Sequence, residues 1–334
     1  MRPLPPVVVT QPAAPIAPQR LLAHADNLDA VRSLLGEVHA ARARAAQDVA
    51  AFGSVCGWLL SGMTDRHVRQ QELTAYVQET MRAWADILRQ VADGRQDFTT
   101  AIGHDDDART DGGTPLVEEP ESSDDRMMLR VIAHVERREW VDPSLAEAAP
   151  VAEFAAPVDD WYAVLRIGGL RYALTHVEPL RHLIDGLAGM PEVCARDAAG
   201  WETSAADLRC LGDLLRQCVA RDMPAGARLD VRSYHARMAH NVNALIGLAD
   251  VAAGMAVITR CAGELISLTA DIVRGVIGDL FARVIAWATG VPIGVPTPPP
   301  HAQFGIVVGT AWRIHAYTEA LSTSISELSR SVDG

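Results

Sequence analysis

Apolar positions along this chain recur at steps of three and four residues, the spacing that places side chains on one face of a helix. Leu28, Val31, Leu35, Val38, Ala45, Val49, Phe52, Cys56 and Leu59 form one seam, and only Arg42 breaks it. A heptad-like seam of this length predicts a long helix packed against another. Gly57-Trp58-Leu59-Leu60-Ser61-Gly62 followed by Thr64-Asp65 predicts a helix–turn–helix, with glycines to end one helix and capping side chains to start the next. Leu73, Val77, Met81, Trp84, Leu88, Val91, Phe98 and Ile102 then mark a second helix. Neither helix can bury its stripe alone, so residues 20–102 are expected to form an antiparallel hairpin.

The pattern lapses over 103–125, and a short helix within 126–160 is expected to stop at Val141-Asp142-Pro143. Residues 142–160 read as a second linker or a loose packing segment. Helical spacing returns over 161–290, as a stripe from Leu174 to Leu187, a second from Trp201 to Val219, and a long third from Tyr234 to Leu280. The breaks fall at Gly189-Met190-Pro191 and Asp222-Met223-Pro224-Ala225-Gly226, and Gly254 or Gly263 could bend the long stripe. Residues 291–334 begin with the proline run Val291–Pro300 and close with a helix expected near Ala311–Ser329. The expected fold is all-α: elongated antiparallel hairpins or a bundle, with a disordered tail over 1–19 and an acidic linker over 103–125.

Composition agrees with helices. Hydrophobic residues make up 49% of the 334 positions but aromatics only 5%, so the apolar content is small and aliphatic and suits close helix packing. All basic residues are arginine, a bias that reflects codon usage and not function. The net charge of −12 is uneven, because residues 103–125 hold nine acids against one arginine. The rest of the chain is nearly balanced and has no basic stripe, so nucleic acid is an unsuitable partner. Six prolines among the first eighteen residues interrupt any signal-peptide core, which predicts synthesis in the cytoplasm without a general secretory signal. Asp250, Arg260, Glu264, Asp271, Arg274, Asp279 and Arg283 interrupt the apolar region after Val242, and they are expected to exclude a membrane span. Five cysteines without a C-x-x-C pair imply free thiols and a reducing compartment during folding.

Chemistry-bearing patterns are sparse. His176/His182 and His235/His240 lie six and five residues apart, which turns the paired rings to different helix faces, whereas a helical metal site needs steps of three or four. Asp105-Asp106-Asp107 reads as solvated charge, and the histidines as solvated or cap-adjacent. No phosphate-binding glycine loop, nucleophile elbow or zinc-protease motif occurs. Trp58, Trp84 and Trp201 read as core anchors. The expectation is no enzyme, no cofactor and no metal.

One resemblance emerges from the order of residues in the second half. His176-Val177-Glu178-Pro179-Leu180, Leu187-Ala188-Gly189, Pro191, Trp201, Ala205-Ala206-Asp207-Leu208, Tyr234-His235-Ala236-Arg237, Ala262-Gly263-Glu264-Leu265, Val273-Arg274 and Ile285-Ala286-Trp287 run in sequence between Tyr172 and Trp287. This stretch resembles the helical trafficking domains of actinobacterial secreted and polymorphic-toxin proteins, within the Trp-x-Gly helical-hairpin superfamily of type VII (ESX) secretion. Ala311-Trp312-Arg313-Ile314, Ser324-Ile325 and Leu328-Ser329 resemble the helix that closes such domains. The turn of the second hairpin carries Pro224-Ala225-Gly226 in place of Trp-x-Gly, and the first offers Trp58 with Gly62. Family members often carry a Tyr-x-x-x-Asp/Glu export signal after the hairpin. Here Phe98-Thr99-Thr100-Ala101-Ile102 keeps the aromatic without the acid, which implies that a partner supplies the signal.

The resemblance implies an exported substrate of that system, or the escort of one, acting through protein–protein contact with another helical-hairpin protein or a secretion component. It also implies a final location outside the cell or at its envelope. Trp58, Leu59, Leu60, Met63 and Phe98 are the expected partner-binding residues. A membrane-active or pore-forming protein and a cytosolic helical scaffold are the alternatives, and homo-oligomers and membrane contact stay open. The stripe Trp201, Ala205, Leu208 places the Trp201 indole between helices. Trp201→Ala is therefore expected to cost about 3–5 kcal/mol in urea unfolding.

Overall fold

The structure, a computed structural model, describes residues 16–50, 53–103, 132–135, 137–152, 187, 190–224, 229–290 and 297–333. Helix accounts for 91% of the interpretable residues and no strand occurs among them, so the chain is all-α. The long elements are α1 (Pro18–Ala50), α2 (Gly53–Ala92), α5 (Met190–Asp222), α6 (Leu229–Thr289) and α7 (Pro300–Asp333), with short α3 (Phe98–Gly103) and α4 (Pro143–Ala152) between them. The proline-rich tail before residue 16, the acidic run after Gly103 and the Leu174–Ile184 part of the first stripe lie outside the described residues, as do His176 and Pro179.

The helices contribute to two compact units. Unit 1 takes residues 1–41, 69–122 and 204–250; unit 2 takes 42–68, 123–203 and 251–334. In unit 1, α1 and α2 run antiparallel: Arg89 reaches Asp26 at 3.0 Å and Asp29 at 2.6 Å, while Gly36 faces Gln78. The expected stripes supply the core, with Leu28, Val31 and Leu35 from α1 and Val77, Met81, Trp84 and Leu88 from α2 all buried. Leu208, Leu211 and Leu215 of α5 and Met238 and Leu245 of α6 complete it. Gly94 ends α2 at φ 68°, where the Arg95 amide donates to the Gln90 carbonyl at 2.9 Å and the Gly94 amide to that of Val91 at 3.0 Å. That pairing closes a helix with a left-handed residue and satisfies its last carbonyls.

In unit 2, α5 approaches α6 closely. Glu202 pairs with Arg260, and a Cβ placed on Gly263 would lie 2.8 Å from the Cβ of Cys194. Gly263, expected as a bend, is a point of close helix contact. Trp201 is 1% exposed, as its stripe required. Further along α6, Val273, Val276, Ile277, Leu280 and Val284 pack with Val307 and Ile314 of α7.

Several local expectations are corrected. The turn at 57–62 is absent, because α2 is already helical from Gly53. Glycine costs only about 1 kcal/mol in a helix interior, and the good helix formers Leu59, Leu60 and Met63 stand beside it. Leu73 is 43% exposed, and Thr74 takes the buried position, its hydroxyl donating to the Gln70 carbonyl at 2.7 Å. Residues 143–152 of the expected linker are α4: the Asp142 carboxylate accepts from the Ser144 amide at 2.9 Å, and Pro143 occupies the first helical position. The helix before it ends early, with Arg138 at φ 56°. The last helix starts at Pro300, well before Ala311. The charges along α6 do not exclude a span by length and composition either, since an 18-residue window within Asp230–Trp287 has mean hydropathy 1.8, with 56% of it buried inside the protein.

Gly263→Ala is expected to lower the stability of unit 2 by about 1–3 kcal/mol despite alanine's better helix propensity. Cys194→Ala should not rescue it, because the clash is with the Cβ that alanine retains. Urea unfolding of both single variants and the double variant checks this.

Candidate functional site

Two groups of polar side chains are buried among the described helices, one in each unit. In unit 1, α1 carries His24 one turn before Leu28, on the buried seam, and its ring is fully enclosed. Its Nδ1 lies 3.1 Å from Asp222 Oδ2 at the end of α5, and its Nε2 lies 2.8 Å from the Tyr234 hydroxyl on α6. A carboxylate only accepts, so Nδ1 carries the proton and Nε2 accepts from the tyrosine O–H. Asn27 Nδ2 donates to Asp222 Oδ2 at 2.7 Å, and Arg221 Nε donates to Oδ1 at 2.7 Å. His235 donates through Nε2 to the Met223 carbonyl in the same corner. The aromatic wall is Trp84, edge-on to Tyr234 at 5.3 Å, and Phe98, tilted on it at 6.1 Å.

Burial penalises the cation on His24 more than the nearby carboxylate favours it, so the ring titrates below its ordinary value of 6.5. Burial alone would raise Asp222. The hydrogen bonds from Arg221, Asn27 and His24 outweigh it and hold the carboxyl at about 2. Burial pushes the Tyr234 hydroxyl well above its ordinary range. At neutral pH the chain is thus carboxylate, neutral imidazole, neutral phenol, each donor matched to one acceptor. It resembles a proton relay in order, but the imidazole and the phenol are both sealed from solvent. Its work at this position is to fix the meeting of α1, α5 and α6.

In unit 2, the arginine that breaks the α1 seam explains itself. Arg42 is buried, pairs with Asp197 of α5, and lays its guanidinium 3.9 Å from the Trp201 ring centroid. Gly200 makes room, since a Cβ there would stand 2.9 Å from Nη1. Nε and Nη1 of Arg42 have no hydrogen-bond partner among the described residues. Cation–π attraction and the carboxylate offset part of that deficit.

Of the expected partner-binding residues, Trp58, Leu59, Leu60 and Met63 fall on the helical backbone of α2, but their side chains lie outside the described residues. Phe98 is 5% exposed and engaged with Tyr234 inside unit 1. No group of three or more His, Cys, Asp or Glu side chains among the described residues could hold a metal ion. The sequence reading treated histidines as solvated and missed His24. The signal was its place on the seam, one turn ahead of Leu28.

Acidification should weaken unit 1 in two steps. His24 has a depressed folded-state pKa, so its contribution is complete above about 6.5 and is lost as pH falls from there through the folded value. Asp222 adds a second loss between about 3.8 and about 2. His24→Asn is expected to be less stable at pH 7 by about 1–3 kcal/mol and to lack the first loss. Urea midpoints measured from pH 7 down to about 2 on both proteins check this.

The chain matches no family model, no curated protein and no solved structure.

Proposed function

We propose that this protein acts through helix–helix surfaces in type VII (ESX) secretion, as an exported substrate or as the escort of one. The observation that carries the surface-based part is where the apolar and polar groups lie. In unit 1 the ionisable chemistry is turned inward around His24, while large apolar side chains stand outside on the first hairpin. Leu34 on α1 and Leu73 and Tyr76 on α2 are 41%, 43% and 66% exposed, and the Gly36–Gln78 register brings Leu34 and Tyr76 to neighbouring levels. A partner hairpin laid along this face would bury them, and about 800 Å² per side suffices for a specific complex. The assignment to type VII secretion rests on the residue order from Tyr172 to Trp287 and on the all-helical architecture such systems carry.

A second reading, membrane insertion of α6, has its own observation in the apolar window of that helix. More than half of that window is buried inside the protein, so insertion would first have to open the bundle. Dye release from liposomes is its readout.

Fractionation of wild-type cells and of cells lacking the secretion ATPase tests the export reading: the protein should leave the cytoplasm only in the former. Equal retention in both would overturn it. Tyr76→Glu and Leu73→Asp are expected to reduce export with little change in melting temperature, because both side chains are exposed.

A further inference from the structure

The two halves of α7 present different surfaces. Its inner face is continuous, with Val307, Ile314, Leu321, Ile325 and Leu328 all buried. Its outer face in the second half is an ordinary solvated one, where Glu319, Thr323, Glu327 and Arg330 are exposed. The outer face of the first half carries His301, Gly305, Gly309, Trp312, Arg313, His315 and Ala316. Trp312 is 70% exposed, the highest value among the large hydrophobic side chains described, and its ring stacks on His315 at 6.0 Å instead of turning into the core.

Charge sets this region apart as well. The chain has 42 acidic residues among 334, yet none occurs between Asp279 and Glu319. A run of that length would ordinarily hold several. The charged residues that remain are Arg283, exposed near the end of α6, and Arg313 beside Trp312, with His301 on the same helix, while His315 lies 3.7 Å from Glu319, the acid that ends the run. In a protein of net charge −12, one end of the α6–α7 pair is therefore positive and carries an exposed indole.

We propose that the outer face of α7 from His301 to Ala316 lies on an anionic lipid surface. Trp312 seats at the boundary between headgroups and acyl chains, where an indole places its ring in an apolar layer and its N–H in a polar one. Arg313 meets the lipid phosphates, and the face from His301 to Ala316 holds no acid before Glu319 at its edge, which lowers the repulsion that the rest of the chain would meet there. A second copy of the chain is the less suitable occupant, because a two-fold contact centred on Trp312 would set Arg313 beside its own equivalent. This binding mode leaves α6 inside its bundle and does not depend on export.

Flotation of the full-length protein with vesicles of phosphatidylcholine alone, and of phosphatidylcholine mixed with phosphatidylglycerol, tests the proposal. The protein should float with the mixed vesicles, remain unbound to the neutral ones, and detach as salt is raised. Arg313→Glu should weaken binding by about tenfold or more, and Trp312→Ala should weaken it with the melting temperature unchanged. Failure of the wild type to float, or flotation indifferent to Trp312→Ala and Arg313→Glu, would overturn the proposal. So would dye release that accompanies binding, which would assign the contact to inserted α6. Sedimentation showing a dimer that Trp312→Ala dissolves, with no vesicle binding, would give the face to a second copy.

Discussion

The close approach of α5 and α6 is the contact on which the other helices depend. Helices come this near only where side chains are small, and in unit 2 Gly263 supplies the gap into which Cys194 fits. In unit 1 Gly212 plays the milder part, with Ile246 and Leu245 at ordinary contact distance from where its Cβ would be. Ion pairs on the rim, Arg209 with Asp250 and Arg260 with Glu202, lie at exposed positions and add register more than energy. With that pair fixed, the stripes of the two helices leave wide apolar surfaces, onto which α1, α2 and α3 pack in unit 1 and α7 packs in unit 2. A chain poor in aromatics has few large side chains to fill space, so small-residue contact replaces bulk.

The polar interior obeys a stricter account. Each buried donor needs an acceptor, and losing one partner costs about 1–3 kcal/mol. His24, Asp222 and Tyr234 meet that demand one for one, which also fixes the tautomer of the ring. Arg42 does not meet it in full, and the nearby Trp201 face and Asp197 carboxylate are its only compensation among the described contacts. Such a group adds little stability over an apolar side chain of the same shape, but it makes any other register worse, since a buried guanidinium without its carboxylate is far more costly. The fold thereby gains specificity at two places where α1 meets α5.

The sequence made the helices legible where burial was periodic. Every position from Trp201 to Val219 in the α5 stripe is buried, and so is nearly all of the long α6 pattern. It was misleading where one residue type can serve two purposes. Gly57 and Gly62 looked like a turn, yet a helix tolerates them, and Asp142-Pro143 looked like a stop although the same pair starts α4. Leu73 and Thr74 exchanged roles because a threonine that bonds its own helix carbonyl can be buried cheaply. His24 and Arg42 were hidden for a related reason: periodicity scores them as interruptions, and only a partner distant in sequence turns an interruption into a contact. Phe98 stood on the expected stripe as well as among the partner-binding residues, and Tyr234, distant in sequence, is what covers it.

The enclosed imidazole has a kinetic side. Its Nδ1 proton is held between a carboxylate and a ring in a space that solvent does not reach. Bulk water can replace that proton only when α1, α5 and α6 part. Its lifetime therefore measures the free energy of that local opening, separately from the unfolding of the remainder of the chain. A single hydrogen thus serves as the clock of unit 1.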